Sequence, residues 1–195
     1  MLARTLITIL TTCLLLQQAA AEIPMPGGWS FYAPKLGTHV GGQSMGFSRT
    51  GRASGVLRSQ GEQSVRHHAL FVQKLSAQNY RARHLKLSGF LKAKGVKGWS
   101  GLWIRVDGEH GEVLQFENMM KKPLRGDSDW RPFSLDIDVP DEAQEIHFGF
   151  LLVGTGEVWS DDLSLKITGG TQPGRSLKQR IRSLPDEPEN LGFEH

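Results

Sequence analysis

The sequence predicts an all-β domain built as an antiparallel β-sandwich, and three observations carry that prediction. In Gly101-Leu102-Trp103-Ile104-Arg105-Val106-Asp107-Gly108, Leu102, Ile104 and Val106 take one side of the chain and Trp103, Arg105 and Asp107 the other, as a pleated strand with one buried face requires. The same alternation recurs from Phe31 to Ile167 in short segments separated by Gly, Asp, Asn and Pro turns, the spacing of a sandwich. No segment in that span sustains a helical period.

The elements follow in chain order. The chain opens with Arg4, an apolar run from Leu6 to Leu16 and then Ala19-Ala20-Ala21, the pattern of a secretory signal peptide with cleavage expected after Ala21. That run has 11 residues, three of them threonine, too short to cross a hydrocarbon core about 30 Å thick. Cys13 lies inside it after Thr12, a poor position for lipid attachment. Removing residues 1–21 takes Arg4 from the 23 basic residues, leaving 22 against 20 acidic, and takes the only cysteine. The expected mature protein, secreted or periplasmic, then has no disulfide and no cysteine-based metal site. It has no cluster of Lys and Arg interleaved with aromatics, so nucleic acid is not an expected partner. About 174 residues remain, enough for one domain with its own core.

Strands are expected at Val56 to Ser59, Ala69 to Ser76, His84 to Lys92, Gly101 to Asp107, Glu112 to Glu117, Pro132 to Val139, Glu145 to Val153 and Glu157 to Ile167, the last with a break near Asp161. Alternation turns Leu85, Leu87, Leu91, Phe133, Leu135, Ile137, Val139, Ile146, Phe148, Phe150, Leu152, Leu163, Leu165 and Ile167 inward. Ser134, Asp136 and Asp138 form a solvated face. The domain is expected to span residues 22–168. From 169 to 195 the composition turns to Gly, Arg, Pro and acids with few apolar residues, and the stretch reads as a linker or disordered tail with room for one short helix around Ser176 to Arg182.

Several segments in order resemble one family: Leu87-Ser88-Gly89-Phe90-Leu91-Lys92, the Gly101 to Gly108 strand, Phe116-Glu117-Asn118-Met119, Asp129-Trp130, Val139-Pro140, Phe148 to Leu152, and Gly154-Thr155-Gly156-Glu157-Val158-Trp159-Ser160-Asp161-Asp162-Leu163. They are similar to the galactose-binding-like jelly rolls, which include many carbohydrate-binding modules of secreted bacterial proteins. The resemblance covers roughly residues 53 to 167 and implies fold more than ligand. Relatives of this type commonly begin with an Asn-Leu-x-Phe-Glu segment leading to a Gly-Trp. Here Gly28-Trp29 is present without that segment, and Asn190-Leu191-Gly192-Phe193-Glu194 stands near the other end. Three readings are open: the threshold of a second module, a segment folded back to supply the missing first strand, or a frayed tail.

In such jelly rolls the strands near 101–107, 112–117 and 145–153 share a sheet. The resemblance therefore implies that Trp103, Arg105, Asp107, Gln115, Glu117 and His147 converge on one outward surface, with Trp99 at its rim. Sugars bind such surfaces because their C–H faces stack on aromatic rings while planar polar groups take their hydroxyls. The competing reading covers Trp103 with a loop and leaves Arg105 in a surface ion pair with Asp107 or Glu117, worth about 0 to 1 kcal/mol. Among the other tryptophans, Trp130 and Trp159 read as packing residues, and Trp29 is undecided.

Asp161 and Asp162 are adjacent, so on an extended chain their carboxylates diverge and cannot flank one bond as acid and base. The resemblance implies instead a structural calcium near this end, held by carboxylate and backbone oxygens. The carboxylate that usually completes such a site belongs to the opening segment this chain lacks. Asp127 and Asp129 read as turn residues. His67-His68 lack metal-site spacing, and neither Ser44 nor Ser160 sits in a Gly-x-Ser-x-Gly elbow. The expected function is an exported, non-catalytic jelly-roll module that binds a carbohydrate or cell-envelope glycan. The alternative is an accessory protein-interaction or structural domain assisting another exported protein. A hydrolase would need two carboxylates, such as Glu117 and Asp107, facing each other.

Overall fold

The computed structural model describes residues 23–170 and 184–195. The expected signal peptide and the short helix around Ser176 to Arg182 lie outside the described residues. Among the described residues nine strands follow one another: β1 (Ser30–Tyr32), β2 (His39–Met45), β3 (Ala53–Ser59), β4 (His68–Ser76), β5 (Arg83–Asp107), β6 (Val113–Asn118), β7 (Leu124–Val139), β8 (Glu145–Val153) and β9 (Glu157–Gly170). Every pairing among them is antiparallel. Among the described residues no helix is long and apolar enough to cross a membrane.

β5 organises the sandwich. Its first half, 83–94, lies between β7 and β9, and its second half, 99–107, lies between β8 and β6. One layer therefore runs β2-β3-β9-β5-β7 and the other β1-β4-β8-β5-β6. The two strands expected at His84 to Lys92 and Gly101 to Asp107 are one continuous strand. The bend between its halves uses two glycines for different reasons. Gly95 has φ +60, a left-handed conformation costly for any residue with a Cβ. At Gly98 an added Cβ would lie 1.9 Å from the Val153 carbonyl oxygen. Gly98→Ala is expected to cost about 1 to 3 kcal/mol, because backbone on both sides must move; urea unfolding of the variant measures it.

The core between the layers is aliphatic and aromatic. Leu85, Leu87 and Leu91 from the first half of β5 face Leu102, Ile104 and Val106 from the second, together with Phe71, Leu75, Ile146, Phe148, Phe150 and Leu152. Each such side chain contributes about 1.5 to 3 kcal/mol by leaving water. Phe133, Leu135 and Leu165 are only partly buried, and Ile167, expected inside, is 46% exposed. Burial fades along β9 after Leu165, where the strand outruns the core. Two strands escaped the sequence reading. β1 has three residues, and β2 carries Gly41-Gly42 in place of an apolar alternation.

Residues 184–195 are not a free tail, which corrects the reading of that stretch as linker or disorder; β9 also continues to Gly170, and 171–183 lie outside the described residues. Phe193 is fully buried in the core, with its ring centroid 4.9 Å from Trp29, 5.8 Å from Phe71 and 6.2 Å from Phe150. Main-chain hydrogen bonds tie the segment to both ends of the domain. Leu163 N donates to Leu191 O at 3.1 Å and Gly27 N to His195 O at 2.8 Å. Buried Gln73 bonds Glu189 twice, donating Nε2–H to its carbonyl and accepting its N–H, both at 2.8 Å. Glu194 accepts from Arg52 N and Ala53 N, and Trp29 Nε1 donates to Asn190 O. Of the three readings of Asn190 to Glu194, the folding back is observed, but the segment packs as irregular chain and supplies no strand. The sequence signal was present in the motif itself, but composition around it resembled a linker.

Candidate functional site

Residues opposite each other in an antiparallel pair share a face, so the strand registers list what stands on the outer side of the β1-β4-β8-β5-β6 layer. One row across it is Lys74, His147, Arg105 and Phe116. The neighbouring rows are Ser76, Glu145, Asp107 and Val113 on one side, and Ser30, Val72, Gly149, Trp103 and Asn118 on the other. Next come Tyr32, Leu70, Leu151 and Gly101, then His68, Val153 and Trp99. The face thus grades from charged at one end to apolar and aromatic at the other.

At the apolar end Val72, Trp103 and Leu151 form a cluster of their own, with Leu70, Trp99 and Val153 packed against it. Trp103 is only 4% exposed, which corrects the expectation of a bare indole. It lies outside the inter-sheet core, in this second cluster, and Gly149 between it and Val72 in the register leaves that space free of a side chain. Its Nε1 is buried without a hydrogen-bond partner. Trp99 is half-buried, while Tyr32 is exposed at the β1 edge.

At the charged end, Arg105 Nη2 donates to Asp107 Oδ2 at 2.8 Å and to His147 Nδ1 at 3.3 Å. His147 Nε2 lies 3.0 Å from Glu145 Oε2 and 3.5 Å from Asp107 Oδ2. These partners fit one tautomer: Nδ1 accepts from the guanidinium and Nε2–H donates to Glu145. Burial is the main cause that lowers the His147 pKa to about 4, with Arg105 and Lys74 lowering it further and Asp107 opposing them. The imidazole is therefore neutral at pH 7 and serves as a bridge between cation and carboxylate. Asp107 Oδ1 and Arg105 Nε are buried without partners among the described residues, exceptions to the rule that buried polar atoms are hydrogen-bonded.

Two expected members stand elsewhere. Gln115 pairs with Val106 and Glu117 with Ile104, so both occupy the opposite side of β6 from Arg105. Phe116 and Asn118 take the positions expected of them. The physical reason is the two-residue period: a register one residue away exchanges the faces of an edge strand. It also puts Glu117 on the opposite face of the layer from Asp107. Lys74, Glu145, Tyr32 and Phe116 went unread because cross-strand register is not visible within a single strand.

Asp161 and Asp162 sit at the break in β9, where Asp162 has φ +49 and the register with β5 shifts between Ser88 and Phe90. Asp161 Oδ2 accepts from Arg49 N at 2.7 Å and Thr50 N at 3.0 Å, and its Oδ1 from Asp162 N. Asp162 meets the Arg49 guanidinium and the Thr50 hydroxyl. Oxygens surrounded by N–H donors and a guanidinium do not fit calcium, because the positive ends of those groups already occupy the space of a cation. The pair instead fastens the 46–52 loop onto β9, with Phe47 against Trp159 and Arg49 over Phe90. Among the described residues no group of three or more His, Cys, Asp or Glu is arranged for a metal ion.

No protein-family model matches this chain. It is 37% identical over 162 residues to the uncharacterized HTH-type transcriptional regulator YbfP of Bacillus subtilis (strain 168), a match covering 81% of this chain and 55% of that protein. The chain thus spans about half the length of the curated relative it matches. Among solved structures, the CBM22-1 xylan-binding domain of Paenibacillus barcinonensis Xyn10C superposes with a TM-score of 0.52 at 12% identity, over 77% of this chain and 92% of that one. The fold is that of the β-sandwich carbohydrate-binding modules. The enzymatically active domain of bacteriophage CBA120 tailspike protein 4 is similar at a TM-score of 0.54 and 15% identity, over 72% of this chain and 19% of that one. At these identities the likeness to solved structures concerns the fold.

Proposed function

We propose that the domain is a binding module that takes a carbohydrate on the outer face of the β1-β4-β8-β5-β6 layer. The observation that carries this reading is the joining, on one face, of the partly exposed apolar residues Trp99, Leu70 and Val153, packed over buried Trp103, to the cations Lys74 and Arg105. A sugar needs both: its C–H faces leave water against apolar rings while its hydroxyls bond to charged or planar groups. Binding without catalysis is supported by the engagement of buried Asp107 and partly buried Glu145, carboxylates of this face, with His147. The leader-like residues 1–21 support action outside the cytoplasm.

Affinity electrophoresis of the full chain against a panel of plant and bacterial glycans tests the proposal. Trp99→Ala and Arg105→Ala are each expected to weaken binding about tenfold, the loss of one aromatic or charge-assisted contact. Binding unchanged in both variants would remove this face from consideration. The identity with a regulator about one and a half times as long supports a second reading, in which the domain is the recognition part of a larger protein and passes its occupancy to an attached partner.

A further inference from the structure

Which glycan the face would take follows from how its charges are layered, an inference that rests on the carbohydrate reading above. The carboxylates lie deep: the Asp107 side chain is 5% exposed and that of Glu145 is 13% exposed. The cations lie shallow, with the Arg105 side chain 36% exposed and Lys74 exposed. Lys74 forms no ion pair with any described residue, and Arg105 commits only Nη2 to Asp107 and His147. His147 between them is buried and adds no charge of its own near neutrality. What the face turns toward a ligand is therefore positive, although the charges of Lys74, Arg105, Asp107 and Glu145 cancel formally. Lys74 and Arg105 stand two strands apart in one row, about 10 Å at ordinary strand spacing. A polymer with repeated anionic groups can meet both while its sugar rings lie on the apolar strip.

We infer that the face recognises an acidic polysaccharide, its carboxylate or sulfate groups held by Lys74 and Arg105. The test uses the full chain in affinity gels containing polygalacturonate, a sulfated galactan or neutral xylan, each at low and physiological salt. Retardation by an acidic polymer above that by xylan, weakened by salt as exposed ion pairs are, is expected, and the two acidic arms tell carboxylate from sulfate. Lys74→Ala should weaken acidic-polymer binding about threefold to tenfold, while Lys166→Ala, on the other layer, should leave it unchanged. Equal effects of the two lysine variants would overturn the inference as a diffuse charge effect. Equal binding of neutral and acidic polymers, insensitive to Lys74→Ala, would overturn it and leave the carbohydrate reading standing. Retardation by none of the three would overturn the inference, and failure across the wider glycan panel would overturn that reading too.

Discussion

Phe193→Ala is expected to destabilise the domain by about 3 to 5 kcal/mol, the range for emptying a buried phenylalanine site. The ring is fully buried and touches elements far apart in sequence: Trp29 ahead of β1, Phe71 in β4 and Phe150 in β8. Gly55 in β3 is shaped to it, since a Cβ there would come 2.7 Å from the Phe193 ring. The backbone of Phe193 is left-handed at φ +59, a conformation that costs an L-residue roughly 1 to 2 kcal/mol. Burial of the ring offsets that cost. The alanine variant keeps the strained backbone and loses the compensation, so little relaxation is available to it. Equilibrium unfolding in urea gives the number directly. A loss under 1 kcal/mol would mean that the segment rests on the surface and closes nothing.

Acid should weaken the fold through His147. Its folded pKa of about 4 lies below the ordinary histidine value of 6.5, so the unfolded chain binds the proton more readily. The stability this burial confers is fully present above pH 6.5 and is lost as pH falls toward 4. The slope is at most about 1.4 kcal/mol per pH unit, giving a total near 3 kcal/mol across that window. His39, buried with Nε2 at 2.9 Å from Gly154 O and also lowered by burial, adds a slope of the same sign. His147→Gln keeps a planar polar group among Asp107, Glu145, Arg105 and Lys74 but cannot titrate there. Thermal unfolding between pH 4 and 7 should therefore be flatter for the variant than for the parent. Parallel curves would show that His147 does not carry the effect.

The sandwich was legible because alternation is a local property. Ile146, Phe148, Phe150 and Leu152 announce a buried face within one strand, and β8 has the expected bounds. β2 was not legible, since Gly41-Gly42 hides its face, and the Gly95 to Gly98 bend in β5 has the composition of a turn although the strand passes through it. For the candidate site, alternation gives the side that a residue takes but neither its cover nor its cross-strand neighbour. Trp103 points away from the inter-sheet core as its strand implies, yet neighbours on the outer face enclose it. Gln115 and Glu117 depend on the register of an edge strand, and that is set by pairing across space. The Asn190 to Glu194 segment shows the same limit at larger scale: its motif is local, whereas its slot is assembled from Trp29, Gly55, Phe71 and Phe150.

The passage of β5 through both layers has a consequence for alternative pairings. A strand that serves one sheet can slide by two residues and keep its apolar side inward. Here any such slip along 83–94 would drag 99–107 with it, displacing Leu102, Ile104 and Val106 from their partners on β8 and β6. Each half is thereby the other's ratchet stop, and misaligned sandwiches must be wrong on both sides at once.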